Sequence, residues 1–368
     1  MAHLLHPIIL EDLNEILVEG LPFERLFGCR ILVSGANGFL PSYFVRALLH
    51  LNTKHKAGIR VIALVRNVEK ARVRFAEYLG PNGQSTELEF FHSDLSVPFE
   101  VEGPVDYIVH AAGQASPKFY GSDPVGSFIP GAVGTYHLLE CARKKSAKGF
   151  LFISTGEVYG VVSADKMPVD ELTLGYLDPA TVRACYGESK RAGETLCVGY
   201  AHQYGLNTVI ARTFHTYGPG MALDDGRVFA DFVANILSRK NIEMKSDGSA
   251  IRPYCYLSDY IRGLFVLLLK GEKGQAYNIG NPAQEVSVLE LAQTLVDLYP
   301  ALGLKVVRAE AVAQKAGYLQ SPIPRNCPDI SKIQKLGWQP KHDIKSGFMR
   351  TIESFRPAAG YANYKLNL

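Results

Sequence analysis

Short apolar runs alternate with longer stretches of mixed polarity through the first half of the chain. The apolar runs predict six strands, at 29–34, 59–65, 87–91, 105–110, 149–154 and 207–212. The stretches between them predict helices at 41–51, 67–79, 124–145 and 183–198. Strands that alternate with helices are typical of the α/β class, in which a doubly wound parallel sheet is covered on both faces.

This alternation becomes less regular after about residue 218. Further elements are predicted at 226–240, 242–245, 258–269, 287–299 and 330–336, all helices except the short strand at 242–245. An amphipathic helix over 8–27 is expected to pack on the main domain or on a partner subunit. We expect four regions: a helical extension (1–28), a Rossmann domain (29–218, with returning segments near 255–282), a smaller substrate-binding lobe (219–355) and a tail (356–368).

Composition and charge exclude several classes of protein. The net charge of +3 is too small, and the basic residues too dispersed, to favour nucleic acid as a partner. No apolar run approaches the roughly 20 residues of a membrane span, and the first residues lack the pattern of an export signal. The six cysteines are widely spaced, which favours reduced thiols over disulfides or a metal site. We therefore expect a cytoplasmic protein with no membrane or metal partner.

A glycine-rich turn, Gly35-Ala36-Asn37-Gly38-Phe39-Leu40-Pro41, directly follows the first predicted strand. The glycines allow a tight turn and close approach to a pyrophosphate, while the following helix contributes its N-terminal N–H groups. Pro41 replaces a third glycine, and proline is accepted in a first helical turn. The alternative is an ordinary strand-to-helix turn. The candidate dinucleotide contacts here are Gly35, Asn37, Gly38, Phe39 and Leu40.

Residues after the next three strands are candidates for the rest of a dinucleotide site. Arg66 lies where an acid normally binds the adenosine 2′-hydroxyl, so it allows NADP as well as NAD, or it is a solvated cation. Asp94 and Leu95 are candidate adenine contacts. The small residues Ala111, Ala112 and Gly113 follow the fourth strand, where the chain must pass close to the cofactor.

Tyr186 and Lys190 are spaced to lie one turn apart on one face of a helix. A lysine ammonium beside a phenol favours the phenolate, so we predict that the pKa of Tyr186 is lowered from its ordinary value of about 10. Such a phenol could take a proton from a sugar hydroxyl as hydride leaves the same carbon. Thr155 supplies a separate hydroxyl. Taken alone, the spacing also fits an ordinary surface helix.

Together these motifs resemble the extended short-chain dehydrogenases/reductases, in the group of NAD-dependent sugar-nucleotide epimerases and dehydratases. The resemblance covers about 30–355. It also includes Ser154-Thr155-Gly156-Glu157-Val158-Tyr159-Gly160, Arg212-Thr213-Phe214-His215-Thr216-Tyr217-Gly218-Pro219 and Tyr277-Asn278-Ile279-Gly280. Other segments are similar to UDP-glucuronate decarboxylases, namely Ala115-Ser116-Pro117-Lys118-Phe119-Tyr120, Arg183-Ala184-Cys185-Tyr186 and Asp225-Gly226-Arg227-Val228.

The resemblance implies transient oxidation of a sugar at C4 by NAD. Thr155 would hydrogen-bond the reacting hydroxyl, Tyr186 would act as base, and Lys190 would hold the nicotinamide ribose. Glu157 would position substrate or handle a proton at C5, the alternative being a solvated carboxylate. The implied substrate contacts are Lys118, Tyr120, Glu157, His215, Arg227 and Arg252, the last two at positions that grip the nucleotide diphosphate. By the same resemblance we expect a homodimer.

Departures from the family pattern bear on the reaction. Gly156 stands where the dehydratases have an acid, which disfavours dehydration. His215 replaces an asparagine and changes a substrate contact, and an expected helix asparagine is missing around Gly131-Ala132. Decarboxylation of UDP-glucuronate is therefore our first prediction, followed by 4-epimerisation and then 4-keto reduction or 4,6-dehydration. A cofactor-binding sensor or scaffold is the non-enzymatic alternative.

Overall fold

A computed structural model describes residues 5–308 and 323–358 of the 368-residue chain. Residues 359–368 of the expected tail lie outside this description. The described strands are β1 (Arg30–Ser34), β2 (Arg60–Val65), β3 (Leu88–His92), β4 (Tyr107–His110), β5 (Gly149–Thr155), β6 (Thr208–Thr213), β7 (Thr216–Tyr217), β8 (Ile242–Met244), β9 (Ile251–Pro253), β10 (Cys255–Tyr256), β11 (Gln275–Ile279), β12 (Glu285–Ser287) and β13 (Val306–Arg308).

The described helices connect these strands along the chain. They are α1 (Pro7–Ile16), α2 (Phe39–His55), α3 (Val68–Arg74), α4 (Pro117–Tyr120), α5 (Pro124–Lys144), α6 (Ala184–Tyr204), α7 (Val228–Leu237), α8 (Leu257–Lys270), α9 (Val288–Asp297), α10 (Ser331–Gln334) and α11 (Ile344–Glu353).

Seven strands form one parallel sheet in the order β11-β6-β5-β4-β1-β2-β3. The doubly wound α/β fold predicted from the sequence is confirmed. The chain runs outward from β1 in one direction through β2 and β3, then returns to the other side of β1 with β4. This reversal opens a crevice at the carboxyl ends of β1 and β4, where ligands bind in folds of this kind.

Strand residues alternate between two cores on opposite faces of the sheet. Ile31 and Val33 of β1 pack in the core that includes α2 and α8, whereas Leu32 packs in the core that includes α5 and α6. A third core lies in the lobe built from α7, α9 and α11. There Tyr217 stacks on Phe348, with ring centroids 3.8 Å apart. The sheet and the lobe thus have separate apolar cores.

Two predicted helices end well before their expected last residues, and helix α11 was not predicted. The helix predicted over 8–27 ends at Ile16, because Gly20, with a φ of 106°, and Pro22 cannot continue it. The helix predicted over 67–79 ends at Arg74, after which the buried Phe75 leaves helical geometry. Helix α11 was not predicted, although its N-cap Asp343, which accepts a hydrogen bond from the backbone N–H of Ser346, is a readable start signal.

Candidate functional site

The glycine turn after β1 has the geometry of a pyrophosphate cradle. Gly35 has a φ of 64°, and a Cβ there would lie 2.8 Å from Cα of Ala112. Only glycine therefore lets this turn lie against the chain that follows β4. Gly38 caps α2, so the first N–H groups of the helix, from Phe39 and Leu40 onward, lie at this crevice. The residues present fit a bound dinucleotide.

A buried hydrogen-bond chain fixes the β4 side of the crevice. Nε2 of His110 lies 3.0 Å from the carbonyl oxygen of Pro130, which can only accept, so Nε2 carries the proton. Nδ1 then accepts from the Ser34 hydroxyl at 2.8 Å, and that hydroxyl oxygen accepts the N–H groups of Ala111 and Ala112 at 3.1 Å. Burial lowers the pKa of His110 to about 3, which keeps its ring neutral. Sequence reasoning missed Ser34, which the strand register places opposite His110.

The candidate adenosine contacts lie together at the ends of β2 and β3. Arg66 is exposed and Leu95 is buried, with 4% of its surface accessible. The carboxylate of Asp94 accepts a hydrogen bond from the backbone N–H of Ser96 at 2.8 Å. Hydrogen bonds from Ser96 lower the pKa of Asp94, and the charge of Arg66 adds to that effect. This end of the crevice therefore presents both a carboxylate, from Asp94, and a guanidinium, from Arg66.

Thr155, Tyr186 and Lys190 converge at the end of β5. Thr155 and Tyr186 lie close enough for the Thr155 side chain to lower the pKa of Tyr186. Lys190 is buried, its Nζ lies 5.9 Å from the centroid of the Tyr186 ring, and it donates to the carbonyl of Ile153 at 2.8 Å. A Cβ on Gly113 would lie 3.7 Å from Nζ, so the chain after β4 passes directly beside the lysine.

The prediction that Lys190 lowers the pKa of Tyr186 is wrong for the protein by itself. The pKa of Tyr186 is raised to about 12, chiefly by burial and then by the charge of Glu157. Arg227, the Thr155 side chain and Arg183 act in the opposite direction. Burial also lowers the pKa of Lys190 to about 8, and its ammonium is engaged by a main-chain carbonyl instead of the phenol.

An ion pair lies on the outer side of this catalytic group. Both terminal nitrogens of Arg183 donate to the carboxylate of Glu157, at 2.8 and 3.0 Å. The Arg183 guanidinium lies over the ring of Tyr120 at 4.6 Å, and Tyr120 stacks on Tyr186 with centroids 5.3 Å apart and planes 17° from parallel. Glu157 is thus a paired carboxylate and not a solvated one. Sequence reasoning identified Glu157 and Tyr120 but not their connection through Arg183.

The segment with Lys118 and Tyr120 is tied to the loop that precedes α7. Nζ of Lys118 donates to the carbonyl of Asp224 at 3.1 Å, and Arg227 donates to the carbonyl of Ala115 at 3.2 Å. The Tyr120 hydroxyl donates to the same Ala115 carbonyl at 2.9 Å. Hydrogen bonds therefore hold three of the predicted substrate contacts, Lys118, Tyr120 and Arg227, on two adjacent segments.

His215 and Arg252 lie toward the lobe. The ring of His215 packs edge-on against Tyr254, with centroids 6.0 Å apart, and its buried Nδ1 has no hydrogen-bond partner in the described part of the chain. Burial, and then the charges of Arg252 and Arg227, lower the pKa of His215, so its ring is neutral. Arg252 donates to the carbonyl of Ile323 at 2.7 Å.

A second buried network, which sequence reasoning missed, supports the strand that carries Thr155. Glu194 of α6 accepts from the Ser154 hydroxyl at 2.5 Å and forms an ion pair with Arg212 at 2.7 Å. Arg212 also donates to the Tyr159 hydroxyl at 3.0 Å. The signal was available in the sequence, since Glu194 lies one helical turn beyond Lys190.

Comparison with known proteins places this site in a family. The model of the NAD-dependent epimerase/dehydratase family matches residues 31–280. The chain belongs to this family. Members of the NAD-dependent epimerase/dehydratase family use NAD, which is the cofactor predicted from the sequence, and the glycine cradle described above fits it.

Two curated relatives of the family come from Arabidopsis thaliana. UDP-glucuronic acid decarboxylase 6 is 36% identical over 333 residues, which are 90% of this chain and 90% of the relative. UDP-glucuronic acid decarboxylase 3 is 35% identical over 329 residues, which are 89% of each. Among solved structures, dTDP-glucose 4,6-dehydratase from Streptomyces venezuelae, with NAD bound, is 27% identical, has a TM-score of 0.72, and is matched over 90% of this chain and 98% of its own.

Residues 5–308 and 323–358 contain neither a helix that could span a membrane nor a candidate metal site. None of their helices combines the length and the apolar character that a bilayer crossing requires. The same residues contain no group of three or more His, Cys, Asp or Glu side chains arranged to hold a metal ion.

Proposed function

We propose that this enzyme decarboxylates a UDP-linked uronic acid, with UDP-glucuronate as the first choice, through a sugar oxidised at C4. The observation that carries the proposal is the stack of Tyr186, Tyr120 and Arg183 with Glu157 paired to its end. It sets a proton-transfer group beside a cation suited to a carboxylate. The two decarboxylase relatives, similar over nine-tenths of both chains, support the same choice.

The chain's own residues would carry the proton chemistry. Thr155 orients the C4 hydroxyl, and Tyr186 takes its proton. The glycine cradle and Lys190 would hold NAD, which would supply the acceptor for the C4 hydride and the source of the hydride returned later. Because a ketone at C4 stabilises negative charge at C5, the carboxylate attached to C5 can leave as carbon dioxide. After C5 is reprotonated, Tyr186 gives its proton back to the C4 oxygen. Arg227 and Arg183 lower the pKa of Tyr186 and thereby favour the phenolate that accepts the C4 hydroxyl proton.

The remaining predicted contacts have proposed roles in binding. Gly35, Asn37, Gly38, Phe39 and Leu40 would bind the pyrophosphate of NAD, with Lys190 at its nicotinamide ribose and Ala111, Ala112 and Gly113 alongside. Arg66, Asp94 and Leu95 would surround the adenosine. Lys118, Tyr120, His215, Arg227 and Arg252 would line the nucleotide-sugar side. We propose a division of labour in which 29–218 binds NAD and 219–355 mainly binds the nucleotide sugar.

A product assay tests this function. The purified enzyme is incubated with NAD, or with NADP, and with a panel of UDP-, GDP-, CDP- and dTDP-sugars. The masses of the products are then measured by mass spectrometry. We expect loss of carbon dioxide from UDP-glucuronate. An unchanged mass with altered retention would instead indicate a 4-epimerase, loss of water a dehydratase, and gain of two hydrogens a reductase. Binding of sugars without any turnover would indicate a sensor.

We also propose that the enzyme is a cytoplasmic homodimer. The large apolar side chains Val125 and Tyr136 on α5 and Val198 on α6 are 69%, 46% and 48% exposed, and they offer a surface for a second copy. All six cysteines are free, as expected in a reducing compartment. The test is the mass in solution by light scattering. The wild type should be a dimer, V198R a monomer, and the control V73R, on an exposed site of α3, a dimer. A monomeric wild type would contradict the proposal.

A further inference from the structure

We propose that Arg183 selects the substrate by binding the carboxylate of the sugar, and that Glu157 occupies the place of this carboxylate until the substrate arrives. The inference rests on the proposed function, because it names the substrate group that the same site recognises. It assigns specificity for uronic acids to one guanidinium, distinct from Arg227 and Arg252 toward the nucleotide side.

The Arg183 side chain is mostly buried, and its guanidinium is incompletely bonded. Its side chain is 13% exposed, and the two terminal nitrogens are satisfied by Glu157. Its Nε is buried and has no hydrogen-bond partner in the part of the chain that the structure describes. Buried polar groups are nearly always bonded, and each exception calls for an explanation. A carboxylate that took the place of Glu157 and contacted Nε together with one terminal nitrogen would satisfy this group.

The position of Arg183 relates it to one substituent of the sugar. The guanidinium lies on Tyr120, and Tyr120 lies on Tyr186, so only one ring separates it from the catalytic phenol. A sugar whose C4 hydroxyl meets Tyr186 must bring its C5 substituent close, because C4 and C5 are bonded to each other. In a uronic acid that substituent is a carboxylate.

Charge explains why a carboxylate would displace Glu157 while a neutral group would not. A guanidinium fork fits a carboxylate with two parallel hydrogen bonds. When the substrate carboxylate takes this fork, the arginine stays paired, so the exchange avoids leaving a buried charge alone. A hydroxymethyl group has no charge to exchange, and the Arg183–Glu157 pair would then remain closed. Glu157, once released, is free to turn toward C5, where a proton is required after carbon dioxide leaves.

The experiment compares the binding of a charged and a neutral sugar to the enzyme loaded with NAD. Titration calorimetry measures the affinities of UDP-glucuronate and UDP-glucose for the otherwise wild-type protein, R183M, R183K and E157Q, each carrying Y186F so that UDP-glucuronate is not consumed. We expect R183M to weaken UDP-glucuronate binding by at least about tenfold, while UDP-glucose binding changes by less than about twofold. R183K, which keeps the charge but loses the fork, should fall between the two. E157Q should bind UDP-glucuronate at least as tightly as the protein with Y186F alone, because the competing carboxylate has become neutral.

Two results would overturn the inference. The first is an equal loss of affinity for UDP-glucuronate and UDP-glucose in R183M or, if that variant does not fold, in R183K. A merely structural role of Arg183 would not discriminate between the two sugars. The second is a loss of UDP-glucuronate binding in E157Q as large as that in R183M. Because these measurements need no turnover, they are independent of the product assay. Selective binding without release of carbon dioxide would refute the proposed reaction and leave the role of Arg183 intact.

Discussion

Asp12 and Arg350 form an ion pair with a 2.5 Å contact, although 338 residues separate them in the chain. Asp12 is completely buried on α1, and Arg350 lies on α11 of the lobe. The same carboxylate accepts the hydroxyls of Tyr43 on α2 and Tyr256 on β10, at 2.8 and 2.9 Å. The N-terminal helix therefore connects the sheet domain to the lobe through one buried carboxylate.

This connection predicts a large loss of stability in D12A. The substitution leaves the Arg350 charge and two tyrosine hydroxyls without their common acceptor. Removal of one partner of a buried pair costs about 3 kcal/mol or more. Urea unfolding should show this loss, whereas E19A, at an exposed position after α1, should change stability by less than about 0.5 kcal/mol. Equal, small effects of the two substitutions would show that Asp12 does not join the two parts.

We expect Lys190 to lower the free energy of unfolding, although turnover requires it. Its pKa falls from 10.5 to about 8 on burial, which corresponds to roughly 3 kcal/mol against the charged form. K190M removes this cost but also leaves the Ile153 carbonyl unbonded, so we expect a net gain of about 1–2 kcal/mol in the cofactor-free protein near neutral pH. Turnover should be lost.

The destabilisation caused by Lys190 should decrease as the pH rises. The folded state disfavours protonated Lys190, so the penalty is full below about pH 8 and disappears as the pH rises toward 10.5. The gain in K190M, followed by urea unfolding, should shrink over the same interval. K54M, at an exposed site of α2, serves as the control and should leave the stability nearly unchanged. A K190M variant that is less stable than the wild type at neutral pH would refute the argument.

His342 predicts a pH dependence of stability with the opposite sign. Burial opposes protonation, but the hydrogen bond to Glu15 at 2.9 Å and the charge of Asp259 outweigh it and raise the pKa of His342 above 6.5. This contribution is fully present below the ordinary pKa and is lost as the pH rises through the folded value. The stability difference between wild type and H342Q should therefore shrink as the pH is raised between about 5 and 8. The exposed-site variant H202Q serves as the control, and a difference that does not change with pH in H342Q would contradict the prediction.

Y186F tests the proton-transfer group by itself. The ring and its stack on Tyr120 remain, so the fold and NAD binding should be unchanged. Loss of the hydroxyl should reduce kcat by about 10²–10⁴-fold, the usual contribution of a general base. Y204F, which removes an exposed hydroxyl near the end of α6, should retain wild-type turnover. Measurable turnover in Y186F close to that of the wild type would show that another group moves the proton.

Local patterns were enough to predict six of the seven strands of the sheet, because each of these six is a short, mainly apolar run, whereas β11 was not predicted. For example, β5 was predicted at 149–154 and is observed at Gly149–Thr155. The spacing of Tyr186 and Lys190 was also readable, since both lie on one helix. The features that the sequence did not predict depend on contacts between residues that are far apart in the chain. The hydrogen bond from Ser34 to His110 depends on strand pairing, and the link from Glu157 through Arg183 to Tyr120 depends on three separate segments.

The pKa of Tyr186 is a second example of this limit. The sequence places a cation one turn away and predicts a lowered value, but burial exceeds that effect and Lys190 bonds to Ile153. Neither the depth of burial nor the choice of partner is encoded in the four-residue spacing. The same applies to α1, whose buried Asp12 has its partners on three other elements.

The most direct test of the central claim follows the hydrogen at C4 during a single reaction. UDP-glucuronate that carries deuterium at C4 is incubated with the enzyme and NAD, and both the carbon dioxide and the position of the label in the product are measured. Transient oxidation with return of the same hydride predicts release of carbon dioxide and a product that keeps its deuterium at C4. A decarboxylated product without the label, or a labelled sugar that keeps its carboxylate, would contradict the account.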